Sequence, residues 1–287
     1  MSKTDVKLVS GMSFADYANI DAVNASTLLT YWDVTPAEAR HGQTYGDKDT
    51  TAKTTGSATH AAILEPDTFE KQFIKQPSAS QFGHGDFRTK AAKEARDEWL
   101  EEHKDAVSIT SAEYDAAIGM REATLSDPFL SSLLTSPGKN ELTLTWTDAE
   151  TELPCKARVD RITAYRGWNT LIDVKTAMRI DNHSVQKAMA MYHYHIRMAW
   201  YMDALQLRFA DKKDIRVFLM WVLNKPPHIG RVTEIEEDGL REGRMQYRRL
   251  LALHAKCLKE NSWPGYPVGE QPLDLPAWAF RVTGLGG

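Results

Sequence analysis

The sequence contains little cysteine and no long hydrophobic run. Cys155 and Cys257 are its only two cysteines, which fits a reducing compartment and leaves too few thiols for a four-cysteine iron–sulfur cluster. The longest apolar stretch, Val217 to Leu223, is too short to cross a bilayer. The N-terminal residues lack the basic start and apolar region of a signal peptide. We therefore expect a cytoplasmic protein without a membrane segment.

An excess of positive charge is also missing. The 287 residues carry a net charge of -4, which argues against a protein that coats nucleic acid indiscriminately, because phosphate contacts require clustered lysine and arginine. The best local concentration of basic residues runs from Arg241 to Lys259. Apolar residues at helical spacing in this stretch predict a helix with one buried side, and a solvated basic face is the favoured interpretation.

The pattern of apolar residues predicts an α/β fold. Helical signals dominate from Asn24 to about Thr135, with Ser26 and Thr35 as N-cap candidates and Pro36 in a first turn. A single long helix is expected over residues 182–209. The four best strand candidates are residues 141–146, 155–160, 169–176 and 215–223. Together they predict a central mixed β-sheet of about four to five strands flanked by helices.

A single domain is expected to span residues 1–287, although the length also permits two. Residues 1–139 form its mostly helical N-terminal part. Residues 140–266 form the core that contains the predicted strands, and residues 267–287 form a C-terminal tail.

Two aspartates near the middle of the chain each end a strand-like run. Asp160 ends the first run, and the second opens the tripeptide Asp173-Val174-Lys175. Because side chains alternate along a strand, Asp173 and Lys175 project from the same face. A connector from Arg161 to Thr170 folds the two runs into a hairpin. Two carboxylates and an ammonium group would then converge, which suits a hard divalent cation beside a lysine that orients or activates water for attack on phosphorus.

Each of these residues also has an ordinary structural explanation. Asp160 could form an ion pair with Arg158 or Arg161, and Asp173 could form one with Lys175. A carboxylate in a central strand is desolvated at a cost of several kcal/mol unless a positive group meets it. A structural ion pair of Asp173 and Lys175 leaves Asp160 unexplained, so the metal site is the favoured interpretation.

The order of an acid, a gap of about a dozen residues and then acid-x-Lys resembles the PD-(D/E)XK nuclease superfamily. The flanking sequence is similar to the RecE-type exonucleases, which are related to lambda exonuclease and RecB. The resemblance extends over roughly residues 14 to 266. Its blocks are residues 16–29, residues 56–66, residues 154–160 with 172–176, and residues 194–201. It implies a restriction-endonuclease-like core.

The resemblance also implies a ligand set. His60, in Gly56-x-x-x-His60, matches a metal ligand of the family, whereas periodicity alone would favour a buried core histidine. Asp160, Asp173 and the backbone carbonyl of Val174 complete the set by the same analogy. Mg²⁺ is the expected cofactor and Mn²⁺ should be able to substitute, because an imidazole ligand favours Mn²⁺ relative to an all-oxygen site. Asp160, Asp173 and Lys175 are the implied catalytic residues.

A further acid and the helix after the hairpin complete the predicted site. Glu141 resembles a recurrent acid of the family, although a cap or an ion pair explains it as well. Related nucleases carry Gln-x-x-x-Tyr in the helix, which the resemblance implies lies near the scissile phosphate. This chain has Arg197 and Tyr201 there, one turn apart. An arginine could meet a phosphate oxygen or could be a salt-bridging surface residue. Arg197, Tyr201 and, with less support, His195 are the predicted DNA contacts.

The function implied by the resemblance is a metal-dependent exodeoxyribonuclease. Such an enzyme hydrolyses linear double-stranded DNA from 5′ to 3′ and generates single strands for phage-type homologous recombination. The implied setting is a bacterial or phage-infected cell, and the implied partners are double-stranded DNA ends and a single-strand annealing protein. A homo-oligomeric ring is also implied, in which a modest basic lining would act from several subunits. Two alternatives stay open: a site-specific or structure-specific endonuclease on the same fold, and a non-catalytic DNA-binding protein.

Overall fold

The computed structural model describes residues 6–45, 51–208 and 215–276, except for the side chains of residues 51–53. Its helices are α1 (Phe14–Asn19), α2 (Ala25–Leu29), α3 (Pro36–Tyr45), α4 (Thr51–Leu64), α5 (Pro66–Gln72), α6 (Lys90–Glu102), α7 (Ser111–Ser126), α8 (Pro128–Thr135), α9 (Asn182–Met191), α10 (Tyr194–Arg208) and α11 (Glu237–Glu260), with a 3-10 turn at Ala79–Phe82. Its strands are β1 (Lys7–Val9), β2 (Phe73–Lys75), β3 (Val107–Ile109), β4 (Gly138–Thr147), β5 (Pro154–Tyr165), β6 (Trp168–Ala177), β7 (Ile215–Leu223) and β8 (Gly230–Glu234).

One mixed sheet organises these elements. Its strand order is β1-β4-β5-β6-β7-β8, with β6 and β7 parallel and the other neighbours antiparallel. The parallel pair requires a crossover, which α9 and α10 form. The predicted α/β class is confirmed, and the four predicted strands are β4 to β7. The sheet has six strands because it also includes β1 and β8, which are short edge strands.

Helices cover both faces of the sheet. The helices α10, α11 and α2 lie on one face, and α4, α7 and α8 lie on the other. Side chains of β7 alternate between the two resulting clusters of buried residues. Val217, Leu219 and Trp221 contact the first cluster, and Phe218, Met220 and Val222 contact the second. Burial on both faces explains why β7 is a continuous apolar run in the sequence.

The hairpin of β5 and β6 is tighter than predicted. Arg166 and Gly167 form its turn with φ values of 48° and 82°, as a two-residue hairpin turn of the primed type requires. The predicted connector of residues 161–170 is therefore mostly strand. The ladder between β5 and β6 ends at the pair Arg161 and Ile172, although β6 continues beside β7 as far as Ala177. Beyond that last pair, the space between β5 and β6 holds Asp160 and Asp173.

Two local predictions were wrong. The helix predicted over residues 182–209 is divided into α9 and α10, because His193 has a φ of 55°, which a right-handed helix does not accommodate. The N-cap of α2 is Asn24 rather than Ser26, since its side chain accepts a hydrogen bond from the Thr27 amide at 2.8 Å. Thr35 is confirmed as a cap, because its hydroxyl accepts from the Glu38 amide at 3.3 Å.

The basic stretch of residues 241–259 lies in α11, and its central arginines are neutralised by acids. Arg244 donates to both carboxylate oxygens of Asp203, at 2.7 and 2.5 Å. Arg248 donates to the buried Asp148 at 2.5 Å. Much of this charge therefore ties α11 to the rest of the fold instead of forming a free basic surface.

Two other sequence predictions concern regions at the limits of the structure. The tail predicted for residues 267–287 runs past residue 276, so its last eleven residues lie outside the described part of the chain, and the proposed division into parts stays a prediction. No helix within the described ranges is both long enough and apolar enough to cross a bilayer.

Candidate functional site

Two acids face each other across neighbouring strands at the centre of the site. The register of β4 and β5 places Glu141 opposite Asp160, between the pairs Asn140–Arg161 and Leu142–Val159. Glu141 has a φ of 49°, a left-handed conformation that is rare for this residue type and interrupts the ladder. Like charges directly opposite each other destabilise a sheet. A backbone outlier and two facing carboxylates indicate a functional constraint at this position.

His60 of α4 lies between these acids. Its Nε2 is 2.5 Å from Asp160 Oδ2, and its Nδ1 is 3.0 Å from Glu141 Oε1. Burial lowers the pKa of His60, but the carboxylates of Asp160 and Glu141 outweigh this effect and raise the pKa to about 10. The imidazole is therefore protonated at neutral pH in this arrangement and acts as a counter-charge to the two acids.

Asp173 and Lys175 project from one face of β6, as the alternation predicted. Their side chains form an ion pair, and Lys175 Nζ also donates to the carbonyl of Val174 at 3.3 Å. Burial and the charge of Asp160 raise the pKa of Asp173 to about 6, against the effect of Lys175. Burial lowers the pKa of Lys175, but Asp173 and Asp160 outweigh it, so the pKa is raised. Lys175 is consequently a cation at neutral pH.

Asp160 connects β5 to β6 where their ladder has ended. Its Oδ2 accepts a hydrogen bond from the Val174 amide at 2.8 Å. Burial alone would raise the pKa of Asp160, but His60 and Lys175 outweigh this effect and lower it. Asp160 is therefore more firmly ionised than Asp173, and its position is set by the backbone of the neighbouring strand.

The arginines that were alternative partners for Asp160 bind elsewhere. Arg158 Nε donates to Glu141 Oε2 at 2.5 Å, and its Nη1 donates to the carbonyl of Met12 at 2.7 Å. Arg161 donates to the carbonyl of Leu133 at 2.9 Å and to other groups of that region. An ion pair with either arginine therefore does not explain Asp160, which contacts His60 instead. An ion pair with Arg158 does explain one oxygen of Glu141, whose other oxygen faces His60.

The donor atoms of this cluster fit a divalent cation. His60, Glu141 and Asp160 each offer one atom that can bind a metal, and these three atoms lie within 4.8 Å of one another. Glu141 Oε1 and Asp173 Oδ2 are buried without a hydrogen bond, despite their contacts with His60 and Lys175, and such oxygens are costly unless a cation or donor satisfies them. Carboxylate oxygens with one imidazole suit Mg²⁺ or Mn²⁺.

The cluster shares two members with the ligand set that the resemblance implied. His60 and Asp160 are shared, and Glu141 joins them. The other two implied ligands, Asp173 and the carbonyl of Val174, both contact Lys175. The side chains of His60, Asp160, Asp173 and Lys175 nevertheless form one electrostatic unit, since the pKa of each depends on the charge of at least one of the others.

Tyr194 is a site residue that the sequence interpretation missed. Lys175 Nζ lies 5.0 Å from the centre of its ring, a distance that allows a cation–π contact. The ring also packs on Trp221, with centroids 5.8 Å apart. Tyr194 lies one helical turn before Arg197 on α10, and this spacing was the signal that could have placed it on the same face.

Of the three predicted DNA contacts, Arg197 and Tyr201 lie on one side of α10 and His195 lies on another. Arg197 Nη1 donates to Ser26 Oγ at 3.0 Å, and its Nε is buried without a hydrogen bond. Burial raises the pKa of Tyr201, and the charges of Asp173 and Asp160 raise it further against the opposite effect of Arg197. His195 instead faces α11, where its Nε2 is 2.9 Å from Gln246 Oε1. DNA contact stays a prediction for all three, and the geometry favours Arg197 and Tyr201 over His195.

Comparison with known proteins agrees with this geometry. Residues 30–271 match the profile of a family described as "PDDEXK-like domain of unknown function (DUF3799)", whereas no curated protein matches the sequence significantly. A crystal structure described as "Putative exonuclease" from Eubacterium rectale aligns with a TM-score of 0.57 and 12% identity, over 91% of this chain and 97% of that chain. The two proteins therefore share a fold. The crystal structure of SSO0001 aligns with a TM-score of 0.30 and 14% identity over 71% of this chain and 86% of that chain, which is too low to indicate a shared fold.

Proposed function

This chain belongs to the PDDEXK-like family that it matches over residues 30–271, and from that membership we propose that it is a metal-dependent nuclease. Specifically, we propose an exodeoxyribonuclease that degrades linear double-stranded DNA from 5′ to 3′. The observation that carries the proposal is the convergence of His60, Glu141, Asp160, Asp173 and Lys175 at the point where β5 and β6 diverge. Acids, an imidazole and an ammonium group arranged in this way suit hydrolysis of a phosphodiester.

Each side chain has a role in the proposed reaction. His60, Glu141 and Asp160 would hold the cation, with Asp173 and the backbone carbonyl of Val174 as the further ligands that the resemblance implied. We propose Mg²⁺ as this cation, with Mn²⁺ as a substitute. A bound divalent cation supplies Lewis-acid stabilisation of the negative charge on the phosphodiester. Lys175 remains protonated, because the neighbouring acids raise its pKa. In that form it would orient the attacking water and stabilise developing charge.

We extend the proposal to how DNA is held. Arg197 and Tyr201 would contact the scissile phosphate. The charges of Asp173 and Asp160 raise the pKa of Tyr201, and Arg197 lies one turn before it on α10. The net charge of -4 and the neutralised arginines of α11 leave a single subunit with little general affinity for DNA. A homo-oligomeric ring that acts with a single-strand annealing protein would supply this affinity from several subunits at once.

Digestion of end-labelled linear duplex DNA tests the proposed function. With Mg²⁺ present, we expect early release of the label from the 5′ end, no cleavage of covalently closed plasmid, and no reaction in EDTA. The Lys175→Met variant is the matched control, because it keeps the metal ligands and should be folded but inactive. Cutting of closed plasmid would support the endonuclease alternative. Binding of DNA without cleavage in Mg²⁺ or Mn²⁺ would support the non-catalytic one.

Metal binding is expected to release a proton from His60. The neighbouring acids raise the pKa of His60 to about 10, whereas only the neutral imidazole can bind a cation. Affinity for Mn²⁺ should therefore increase with pH below that value, by up to about tenfold per pH unit. Calorimetry in buffers with different ionisation enthalpies measures the released proton.

The control for this prediction is His60→Gln, which cannot be protonated. It should bind Mn²⁺ more weakly and lose most of the dependence on pH. Equal proton release by the parent and by His60→Gln would show that His60 is not the group that titrates.

A further inference from the structure

The junction of α9 and α10 exposes an aromatic side chain near the site. The chain reverses at Tyr192 and His193, and His193 has a φ of 55°. Tyr192 is 58% exposed, as is its neighbour Met191. Exposure of single apolar side chains is common, so the position of Tyr192 relative to the site matters more than its exposure. Nothing in the proposed roles of the acids, His60 or Lys175 accounts for this surface.

A series of contacts connects Tyr192 to the catalytic lysine. Its ring centre is 5.6 Å from that of Tyr194, at an interplanar angle of 32°. The ring of Tyr194 lies 5.0 Å from Lys175 Nζ, and Lys175 contacts Asp173. The ring of Tyr194 already contacts Lys175 and Trp221. Tyr192 is therefore the member of this series whose ring is exposed to solvent.

We propose that Tyr192 stacks on the nucleobase next to the phosphate that is cleaved. The inference rests on the proposed nuclease function and adds that the strand is unpaired at the site. Only the ring of Tyr194 separates the ring of Tyr192 from Lys175 Nζ, through distances of 5.6 and 5.0 Å, so a base on Tyr192 would lie close to a phosphate held at Lys175. Stacking accepts every base and requires no excess of positive charge, which suits a chain with a net charge of -4.

Stacking predicts a specific pattern among variants. Tyr192→Ala should raise KM for a 5′-phosphorylated single strand by about tenfold, whereas Tyr192→Phe retains the ring and should resemble the parent. The matched control is Phe129→Ala. Phe129 is also an exposed aromatic residue, at 44%, but it contacts Tyr165 at the distant turn of the β5–β6 hairpin. This control should leave KM unchanged.

A damaged substrate separates stacking from a general loss of affinity. An abasic nucleotide beside the cleaved phosphate should weaken binding by the parent about as much as Tyr192→Ala does. Because both changes remove the same contact, combining them should add little. Additive effects would overturn the inference, and so would a Tyr192→Ala variant with the KM of the parent.

Binding without cleavage distinguishes this inference from the nuclease proposal. A single strand that carries one 2-aminopurine is titrated with protein in EDTA, and stacking on Tyr192 should change its fluorescence with the parent but not with Tyr192→Ala. That result would support the inference even if no DNA were cleaved in Mg²⁺. Equal signals for both proteins would refute it, as would a Tyr192→Ala variant that changes only the oligomeric state, which would identify a subunit interface.

Discussion

Replacement of Asp160 by asparagine is expected to abolish both metal binding and DNA cleavage. Asp160 lies 2.5 Å from His60 Nε2 and accepts a hydrogen bond from the Val174 amide at 2.8 Å. Asparagine can keep the second contact through its amide oxygen but removes the negative charge. We expect a loss of affinity for Mn²⁺ of about a thousandfold, which corresponds to about 4 kcal/mol, and a comparable loss of cleavage rate.

Calorimetry with Mn²⁺ and the shift in melting temperature that Mn²⁺ produces measure this loss. Asp148→Asn is the matched control, because Asp148 is also a buried acid but pairs with Arg248 of α11 at 2.5 Å. That variant should be less stable and yet retain the shift with Mn²⁺. An Asp160→Asn protein whose melting temperature still rises with Mn²⁺ would place the cation elsewhere.

The hairpin and its polar residues could be predicted because they follow from alternation along single strands. The period of two places Asp173 and Lys175 on one face of β6, and their ion pair confirms it. The same reasoning brings Asp160 beside β6, where it accepts from the amide of Val174. Asp160, Asp173 and Lys175 all lie in the β5–β6 hairpin, so a local sequence pattern is sufficient to predict their arrangement.

The partners that come from distant parts of the chain could not be predicted in this way. Glu141 joins His60 through a left-handed backbone conformation, and no residue pattern indicates a positive φ at a glutamate. The contact of Tyr194 with Lys175 depends on where α10 begins. That start is set by the reversal at His193, for which the periodic apolar pattern of residues 182–209 carries no signal. The resemblance to a nuclease family identified His60, which periodicity alone would have placed in the core, and it also pointed to Glu141 as a recurrent acid.

Replacement of Asp173 by asparagine is expected to abolish cleavage while stabilising the metal-free protein above about pH 6. The folded chain raises the pKa of this carboxyl from 3.8 to about 6, chiefly through burial and the charge of Asp160. A raised carboxyl pKa means that ionisation costs stability. This cost is absent below the unfolded value, grows between the two values and is complete above the folded one. Asparagine cannot ionise and so avoids it.

The gain should be on the order of 3 kcal/mol at most, since each unit of pKa difference corresponds to about 1.4 kcal/mol. Urea denaturation in EDTA at about pH 7.5 and at about pH 4.5 measures it, with the difference between variant and parent expected to shrink at the lower pH. In the variant, Lys175 still has the negative charge of Asp160 nearby. The ammonium group is therefore not left without a counter-charge, and the fold should survive. A variant that is less stable than the parent at both pH values would show that the ion pair with Lys175 outweighs the cost of burial. Greater stability together with lost activity would show that the carboxylate is retained for catalysis at the expense of the fold.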